Sequence, residues 1–431
     1  MHVLKKIVAI TLALTLSGSF AACGGQEATP SPTEPPTVEP TVPMDRELTE
    51  EEKAILQERR DIAESYMRES LSVLWKTDKN IIYGLSSSRD NGLKLYLIEG
   101  RIYQGVPYAY AVGTQDSFLE YAAGEPDENG VYTISGLEDT AVNYESYGAR
   151  VGNDCSGVLT NAWSLIGTSF DSSRSCEMTA AHGVIPVGEY NFNPIIDESN
   201  GNITFTGEAT STNGPMTMYN AYAQLQKADC LFRVSKDGSN HSMMVVDVNV
   251  VYTPAGVVDG TRSTVTVLEQ SRRNQNQQKR YEHPELGEVF LIGCIDEVYT
   301  FAELFSSTYL PVTVKELIDP SPVEETWVKD SLEAPTKDNL FTGNITSNRY
   351  IDCVTVTIAD ESGETVQEVT GRARRRFNKD FDMTRFVTEN PGACLGSVDL
   401  SKLEAGNYKC TVTARLTTGA KHTVRTFDFT V

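Results

Sequence analysis

Residues 155–166 have the clearest helical pattern in the chain, and they constrain its fold more than any other segment. Apolar side chains recur there at helical spacing, and Gly167 follows as a stop signal. Strand-like stretches come later, at 230–234, 241–251, 263–270 and 287–295. Because strands follow the helices as a run instead of alternating with them, the order predicts an α+β fold and not a doubly wound parallel sheet.

Two other segments carry local signals in the first half of the chain. Thr49-Glu50-Glu51-Glu52 has the pattern of a capping box, which predicts a long helix that continues to about Trp75. The segment 196–216 is rich in Asn, Gly, Thr and Ser, and its composition predicts a long surface loop.

The character of the chain changes after residue 319. Pro320 and Pro322 mark a boundary, and beyond it apolar and polar residues alternate with the period of strands. About 110 residues of short strands without a helical pattern predict an all-β, immunoglobulin-like sandwich over 320–431. Leu403, Gly406 and Tyr408 resemble the tyrosine corner of such sandwiches.

The first 46 residues have the pattern of an export signal followed by a linker. Lys5 and Lys6 precede an apolar run that is too short to span a bilayer permanently, so residues 1–22 are predicted to be a signal peptide. Phe20-Ala21-Ala22-Cys23-Gly24 resembles a bacterial lipoprotein box, which implies that Cys23 receives a lipid; an ordinary signal peptide is the alternative. Six prolines with Thr and Glu make 23–46 a predicted tether. We therefore expect a lipid-anchored protein on the extracellular face of the bacterial cytoplasmic membrane.

Composition argues against several classes of partner. The 37 Lys and Arg residues face 59 Asp and Glu residues, which gives a formal net charge of −22. Such a chain has no basic excess to neutralise phosphates, so no nucleic-acid partner is expected. Neither a Cys-x-x-Cys nor a His-x-x-x-His pair occurs, and we expect no metal and no cofactor.

Asn153-Asp154-Cys155-Ser156-Gly157 places a cysteine in the first turn of the predicted 155–166 helix. Asn153 or Asp154 can serve as its N-cap. Backbone N–H groups and the helix dipole stabilise a thiolate there, and the thiolate is the nucleophilic form of cysteine. A buried structural cysteine is the alternative, but it would more often sit within the apolar stripe that Cys155 precedes. Cys155 is therefore the predicted nucleophile.

His241 is the best-placed base for this nucleophile. It begins a strand-like segment whose alternation puts Met244 on the opposite face, while His182, in a predicted loop, stays open as an alternative. The next strand ends in Glu269 and Gln270, and either side chain can orient the imidazole. Alternation does not choose between the two, because a shift of one residue in register exchanges the faces of a strand.

These residues together resemble the NlpC family of papain-like cysteine peptidases, which cut the stem peptides of bacterial cell walls. The resemblance rests on Gly105-Val106-Pro107-Tyr108, on Asp154-Cys155-Ser156-Gly157 at the start of a helix, and on His241 on a later strand. It implies a papain-like catalytic domain over 47–319, in which the helix that carries the cysteine packs against an antiparallel sheet.

The resemblance also implies roles for individual residues. Tyr108 is expected near the thiolate and the substrate amine, and Asp154 and Ser156 are expected to contact the substrate on either side of the nucleophile. The chain is similar, too, to the CHAP amidases, in which a glutamate follows the histidine on the next strand. That similarity favours Glu269 over Gln270 as the third catalytic residue.

The sequence therefore predicts a membrane-anchored, extracellular cysteine hydrolase that cleaves amide bonds in peptidoglycan stem peptides through an acyl-enzyme. Its expected partners are those peptides and the membrane, which it reaches through the lipid on Cys23. The alternative is a non-catalytic envelope lipoprotein that keeps the scaffold and binds wall peptides or a protein partner.

Overall fold

The computed structural model describes residues 47–84, 94–109, 113–135, 152–171, 174–271, 279–335, 342–372, 378–383 and 398–431. The predicted signal peptide, the lipidation site Cys23 and the tether lie outside these residues. The α-helices are α1 (Glu50–Ser72), α2 (Gln115–Leu119), α3 (Cys155–Ile166), α4 (Thr206–Tyr222) and α5 (Phe301–Ser306). None of these described helices is both long enough and apolar enough to cross a membrane.

The strands of the described residues, in chain order, are β1 (Leu74–Thr77), β2 (Ile81–Gly84), β3 (Lys94–Leu97), β4 (Ile102–Gln104), β5 (Val131–Ile134), β6 (Val184–Pro186), β7 (Cys230–Arg233), β8 (His241–Asn249), β9 (Thr264–Gln270), β10 (Arg280–His283), β11 (Gly287–Leu291), β12 (Gly293–Thr300), β13 (Leu310–Val314), β14 (Val328–Asp330), β15 (Asn344–Ala359), β16 (Thr365–Arg372), β17 (Asn378–Asp382), β18 (Asn407–Leu416) and β19 (Lys421–Thr430). With the helices, they make the chain an α+β protein, as its sequence predicts.

The central sheet is antiparallel and has the strand order β12-β9-β8-β7-β13-β6. Helix α3 packs against β8 and β9 with Leu159 and Trp163, both fully buried, in the same core as Met244 and Leu268. Helix α1 covers α3 from the other side through an apolar stripe that includes Met67. The predicted helix 155–166 and the predicted strands at 230–234, 241–251 and 263–270 are therefore confirmed, and α3 is buried on nearly every side.

Helix α1 begins at the predicted capping box but ends earlier than predicted. The Thr49 side chain accepts a hydrogen bond from the Glu52 backbone, and the Glu52 carboxylate accepts one from the Thr49 backbone. The helix ends at Ser72, three residues before the end predicted near Trp75, because Trp75 lies in β1. Its indole N–H donates to the Gly105 carbonyl at 2.8 Å, and its ring stacks on Tyr103. Pairing with β4 and burial of the indole outweigh the local helical preference.

The predicted surface loop at 196–216 is also wrong over its second half, since α4 begins at Thr206. Helix α4 buries Ala209, Met218 and Tyr222 in the main core, and it contains an irregular residue at Gly214. The Gly, Thr and Ser residues of its first turns have low helix propensity, so tertiary packing must supply the stability of this helix.

A smaller mixed sheet lies beside the central one, with the order β10-β11-β4-β1-β5. The predicted strand 287–295 proves to be two strands, because β11 belongs to this small sheet and β12 to the central sheet. Strand β4 pairs with both β1 and β11, and it leads directly into residues 105–108. The small sheet therefore positions Tyr108 at the edge of the central core.

The described part of the chain after residue 320 contains strands and short 3₁₀ turns but no α-helix. The long strand β15 pairs with β14 and β17 along its first half and with β16 and β18 along its second. The Tyr408 hydroxyl donates to the Glu404 carbonyl at 2.9 Å, which is the contact that a tyrosine corner makes. This arrangement is compatible with a β-sandwich.

A buried arginine joins the all-β part to the end of α3. Arg349, in β15, donates to the carbonyls of Ser164, at 2.7 Å, and Gly167. These carbonyls belong to the last turn of the helix, where acceptors lack partners within the helix and where a cation interacts favourably with the dipole. The all-β part therefore supports the helix that carries Cys155.

Candidate active site

Cys155 lies at the N-terminus of α3, as the sequence predicts. Of the two candidate caps it is Asp154 that serves as N-cap, since its carboxylate accepts a hydrogen bond from Gly157 N at 2.7 Å. The Ser156 hydroxyl also donates to this carboxylate, at 3.1 Å. The Cys155 side chain is buried and carries a free thiol. The positive end of the helix dipole therefore acts on the sulfur of Cys155.

A tight backbone contact places Tyr108 beside Asn153, two residues before the cysteine. Asn153 N donates to the Pro107 carbonyl at 3.2 Å, and Ala109 N donates to the Asn153 carbonyl at 3.0 Å. Tyr108 and Asn153 thus pair as a short parallel bridge. Gly152 permits this approach, because its φ is +137° and a Cβ built on it would lie 2.3 Å from the Pro107 carbonyl oxygen. The two motifs that suggested a peptidase are neighbours in space.

His241 begins β8 and contacts both Cys155 and Glu269. The imidazole Nε2 lies 2.5 Å from Glu269 Oε2, and the Cys155 side chain is close enough to the imidazole to help raise the pKa of His241. The Tyr299 hydroxyl donates to the other oxygen of the Glu269 carboxylate at 3.3 Å. The structure therefore brings a thiol, an imidazole and a carboxylate into one chain of contacts.

Gln270 does not take part in this chain. Its side-chain amide donates to the Val106 carbonyl at 2.6 Å and to Asn153 Oδ1 at 3.1 Å, on the opposite face of β9 from Glu269. Gln270 therefore ties the 105–108 segment to the residue before the N-cap. The alternative histidine, His182, lies in an exposed 3₁₀ turn, where its Nδ1 contacts the Asp171 carbonyl.

The surroundings of His241 favour its charged form. Burial alone lowers the pKa of His241, but the acidic groups of Tyr309, Cys155 and Glu269 outweigh it and raise this pKa well above its ordinary value. Burial raises the pKa of Glu269, yet the hydrogen bond and the charge of His241 bring it below its ordinary value. A carboxylate, an imidazolium and a cysteine side chain therefore lie together at the N-terminus of α3.

Asp154 has a different electrostatic environment from Glu269. Burial raises its pKa to about 6, although hydrogen bonds from Gly157 and Ser156 oppose the shift. The carboxylate therefore ionises close to neutral pH in the folded protein, whereas it ionises near 3.8 in an unfolded chain. The folded state binds more protons between these two values, so this group reduces stability as the pH rises from about 4 to about 6.

Replacing Asp154 by asparagine tests this shift. The amide keeps an N-cap acceptor but does not ionise, so the free energy of unfolding of Asp154→Asn should rise relative to wild type by about 1–3 kcal/mol between pH 4 and pH 7. Urea denaturation across this range measures the difference. Asp127→Asn is the control, because backbone hydrogen bonds from Val131 and Asn129 lower the pKa of Asp127 from 3.8, so its effect on stability titrates below pH 4 and its curve should stay nearly parallel to that of wild type from pH 4 to pH 7. Parallel curves for wild type and Asp154→Asn would contradict the raised pKa.

Two residues of the site had no clear sequence signal. The Tyr309 ring, just before β13, packs edge-on against the His241 ring with centroids 6.4 Å apart. Arg233, at the end of β7, stands directly opposite His241 in the sheet and lies over the Tyr309 ring at 5.3 Å. Both contacts depend on strand register across β7, β8 and β13. Among the described residues no cluster of three potential metal ligands forms.

Comparisons with known proteins add little to this geometry. No protein-family model matches the chain, and no curated protein matches it. A crystal structure of CopC from Methylosinus trichosporium OB3b is 17% identical and covers 25% of this chain and 89% of its own, with a TM-score of 0.14. A score this low does not establish a common fold.

Proposed function

We propose that the chain is a cysteine hydrolase of the NlpC type that cleaves amide bonds in peptidoglycan stem peptides. The observation that carries this proposal is the contact chain of Cys155, His241 and Glu269, with the sulfur at a helix N-terminus and the imidazole 2.5 Å from the carboxylate. A structural cysteine has no need of a charged histidine and a carboxylate behind it. The same three groups are what an activated nucleophile requires.

The reaction follows from the position of each group. The proton of the Cys155 thiol passes to His241 before the substrate reacts, and Glu269 stabilises the resulting imidazolium in the resting site. The thiolate attacks the carbonyl carbon of the substrate amide, and the Cys155 backbone N–H stabilises the oxyanion that forms. His241 then donates its proton to the leaving amine, which leaves a thioester on Cys155. His241 then takes a proton from water, the resulting hydroxide attacks the thioester carbon, and the carbon–sulfur bond breaks, so that the acid product leaves and the Cys155 thiolate returns beside the imidazolium.

The polar groups beside the nucleophile support a peptide substrate with an amine close to the scissile bond. Tyr108 lies next to Asn153 through the backbone bridge, and Asp154 and Ser156 flank Cys155. The Asp154 carboxylate, with a pKa of about 6, is largely ionised at neutral pH and can bind an ammonium group there. Together with the predicted lipid on Cys23, these residues support an enzyme that works on wall peptides outside the cytoplasmic membrane.

Digestion of muropeptides tests the proposal. The full-length chain, held in detergent micelles, is incubated with purified muropeptides, and the products are identified by mass spectrometry. New fragments should appear with wild type and should be absent with Cys155→Ala, because the variant has no nucleophile. If wild type gives no fragments from several wall chemistries, the hydrolase is excluded. Retained binding of muropeptides by both forms would then favour the non-catalytic lipoprotein.

A further inference from the structure

Arg233 occupies the flank of the site that lies opposite Tyr108. The central sheet places β9, β8 and β7 side by side, so His241 on β8 stands between Gln270 on β9 and Arg233 on β7. Gln270 holds the 105–108 segment on the β9 side. Residues directly opposite each other in neighbouring strands project to the same face, so the side chains of Arg233 and His241 lie next to each other on one face of the sheet.

The guanidinium of Arg233 has unused hydrogen-bonding capacity. Its Nε is buried and has no hydrogen-bond partner, and no ion pair joins Arg233 to any carboxylate of the residues that the structure describes. The exposed Asp237 is an acidic neighbour whose pKa Arg233 helps to lower, but its carboxylate accepts hydrogen bonds from the hydroxyl and backbone of Ser239, at 2.7 and 3.0 Å. A half-buried cation without an anion is costly, which argues that an anion comes from outside the chain.

The Tyr309 ring keeps this cation in place. The guanidinium lies 5.3 Å from the ring centroid, and the same ring packs against His241. A cation–π contact with an aromatic ring uses none of the N–H donors of a guanidinium, and the parallel N–H groups of arginine match the two oxygens of a carboxylate. The contact with Tyr309 therefore positions Arg233 for a carboxylate ligand close to the catalytic imidazole.

We propose that Arg233 binds a carboxylate of the substrate on the far side of the scissile amide from Tyr108, and so selects peptides with a free carboxylate near that bond. This proposal rests on the proposed function and names its substrate class, which is a short peptide with an amine on the β9 side and a carboxylate on the β7 side. Peptides in which that carboxylate is amidated are poorer substrates, because the cation of Arg233 then lacks its counter-ion.

A pair of thiol reagents tests Arg233 without any knowledge of the peptide. N-ethylmaleimide and 3-maleimidopropionate differ by one carboxylate; with either, the Cys155 sulfur adds to the carbon–carbon double bond, the adjacent carbon takes up a proton, and nothing leaves. The rates at Cys155 are measured on the full chain by peptide mass spectrometry. The ratio of the 3-maleimidopropionate rate to the N-ethylmaleimide rate should fall about tenfold in Arg233→Gln.

Controls separate a binding role from a structural one. Arg233→Lys keeps the charge and should retain most of the rate ratio, while Arg262→Gln, which removes an exposed arginine paired with Asp259, should not change it. An N-ethylmaleimide rate equal to that of wild type shows that the glutamine variant is folded at the site. An unchanged ratio in Arg233→Gln, or equal losses of both rates in the glutamine and lysine variants, would overturn the proposal.

Peptide kinetics supply the second measurement. With matched substrates, Arg233→Gln should raise KM for the free acid about tenfold and leave the kinetics of the amidated peptide unchanged. Equal effects on both substrates would refute the carboxylate role. A chain that hydrolyses no peptide but keeps the Arg233-dependent reagent ratio would refute the proposed hydrolase and leave the carboxylate site standing.

Discussion

Replacement of Glu269 by alanine is expected to lower kcat/KM for the proposed amide hydrolysis by about 10²–10⁴-fold. The carboxylate lies 2.5 Å from His241 Nε2 and is the charged partner of the imidazolium. Without it the pKa of His241 falls, the imidazolium is lost at a lower pH, and the ring is free to rotate away from Cys155. The pH profile of Cys155 alkylation by iodoacetamide should change with the loss of activity.

Gln270→Ala is the matched control, since it removes the adjacent residue of the same strand. The Gln270 amide makes two buried hydrogen bonds, to Val106 and Asn153, so its loss should reduce the free energy of unfolding by about 1–3 kcal/mol. It should leave the pH profile of Cys155 alkylation unchanged. If the two variants shift that profile equally, Glu269 has no special role in orienting His241.

Which of Glu269 and Gln270 contacts His241 cannot be predicted from the sequence. Alternation placed the two residues on opposite faces of β9 but did not say which face meets His241. The register shift between Val245 and Asp247, where β8 pairs with β9, is a feature of the sheet that no pattern in either strand predicts. Only the assembled sheet brings Glu269 to the imidazole.

Local chemistry, by contrast, predicted the N-terminus of α3 well. A cap residue, an apolar period and Gly167 are all contained within about fifteen residues, so the helix and the position of Cys155 follow from neighbours in the sequence. The prediction of a loop where α4 lies is wrong for the converse reason. Its Gly, Thr and Ser residues favour a loop locally, and the burial of Met218 and Tyr222 against distant strands decides otherwise.

The positions of Arg233 and Tyr309 depend entirely on long-range packing. Their contact joins β7 to the residue before β13, and His241 meets both only through the pairing of β7 with β8. An arginine at the end of an apolar strand carries no signal of its own. The proposed nucleophile and base, Cys155 and His241, can therefore be found from the sequence, whereas Arg233, the residue proposed to select the substrate, cannot.

Gly152→Ala is expected to reduce the free energy of unfolding by about 2–4 kcal/mol and to weaken the site at the same time. The new Cβ would lie 2.3 Å from the Pro107 carbonyl oxygen, which belongs to backbone and has little room to move. Relief of this clash must stretch the hydrogen bond from Asn153 N to that oxygen, and with it the bridge that holds Tyr108 to Asn153, two residues before Cys155.

Gly124→Ala separates the clash from the cost of the backbone conformation. Gly124 has a φ of +148°, close to the +137° of Gly152, but a Cβ built on it meets no atom within 4 Å. Gly124→Ala should therefore reduce the free energy of unfolding only by the cost of the backbone conformation, about 1–2 kcal/mol, and should leave the rate of Cys155 alkylation unchanged. Urea denaturation and iodoacetamide labelling of both variants measure the two effects. Equal losses of stability with equal labelling would mean that the approach of Pro107 to Gly152 does not position the site. A larger loss in Gly152→Ala, with slower hydrolysis, would mean that the absence of a side chain at residue 152 allows the 105–108 segment to approach the proposed nucleophile, Cys155.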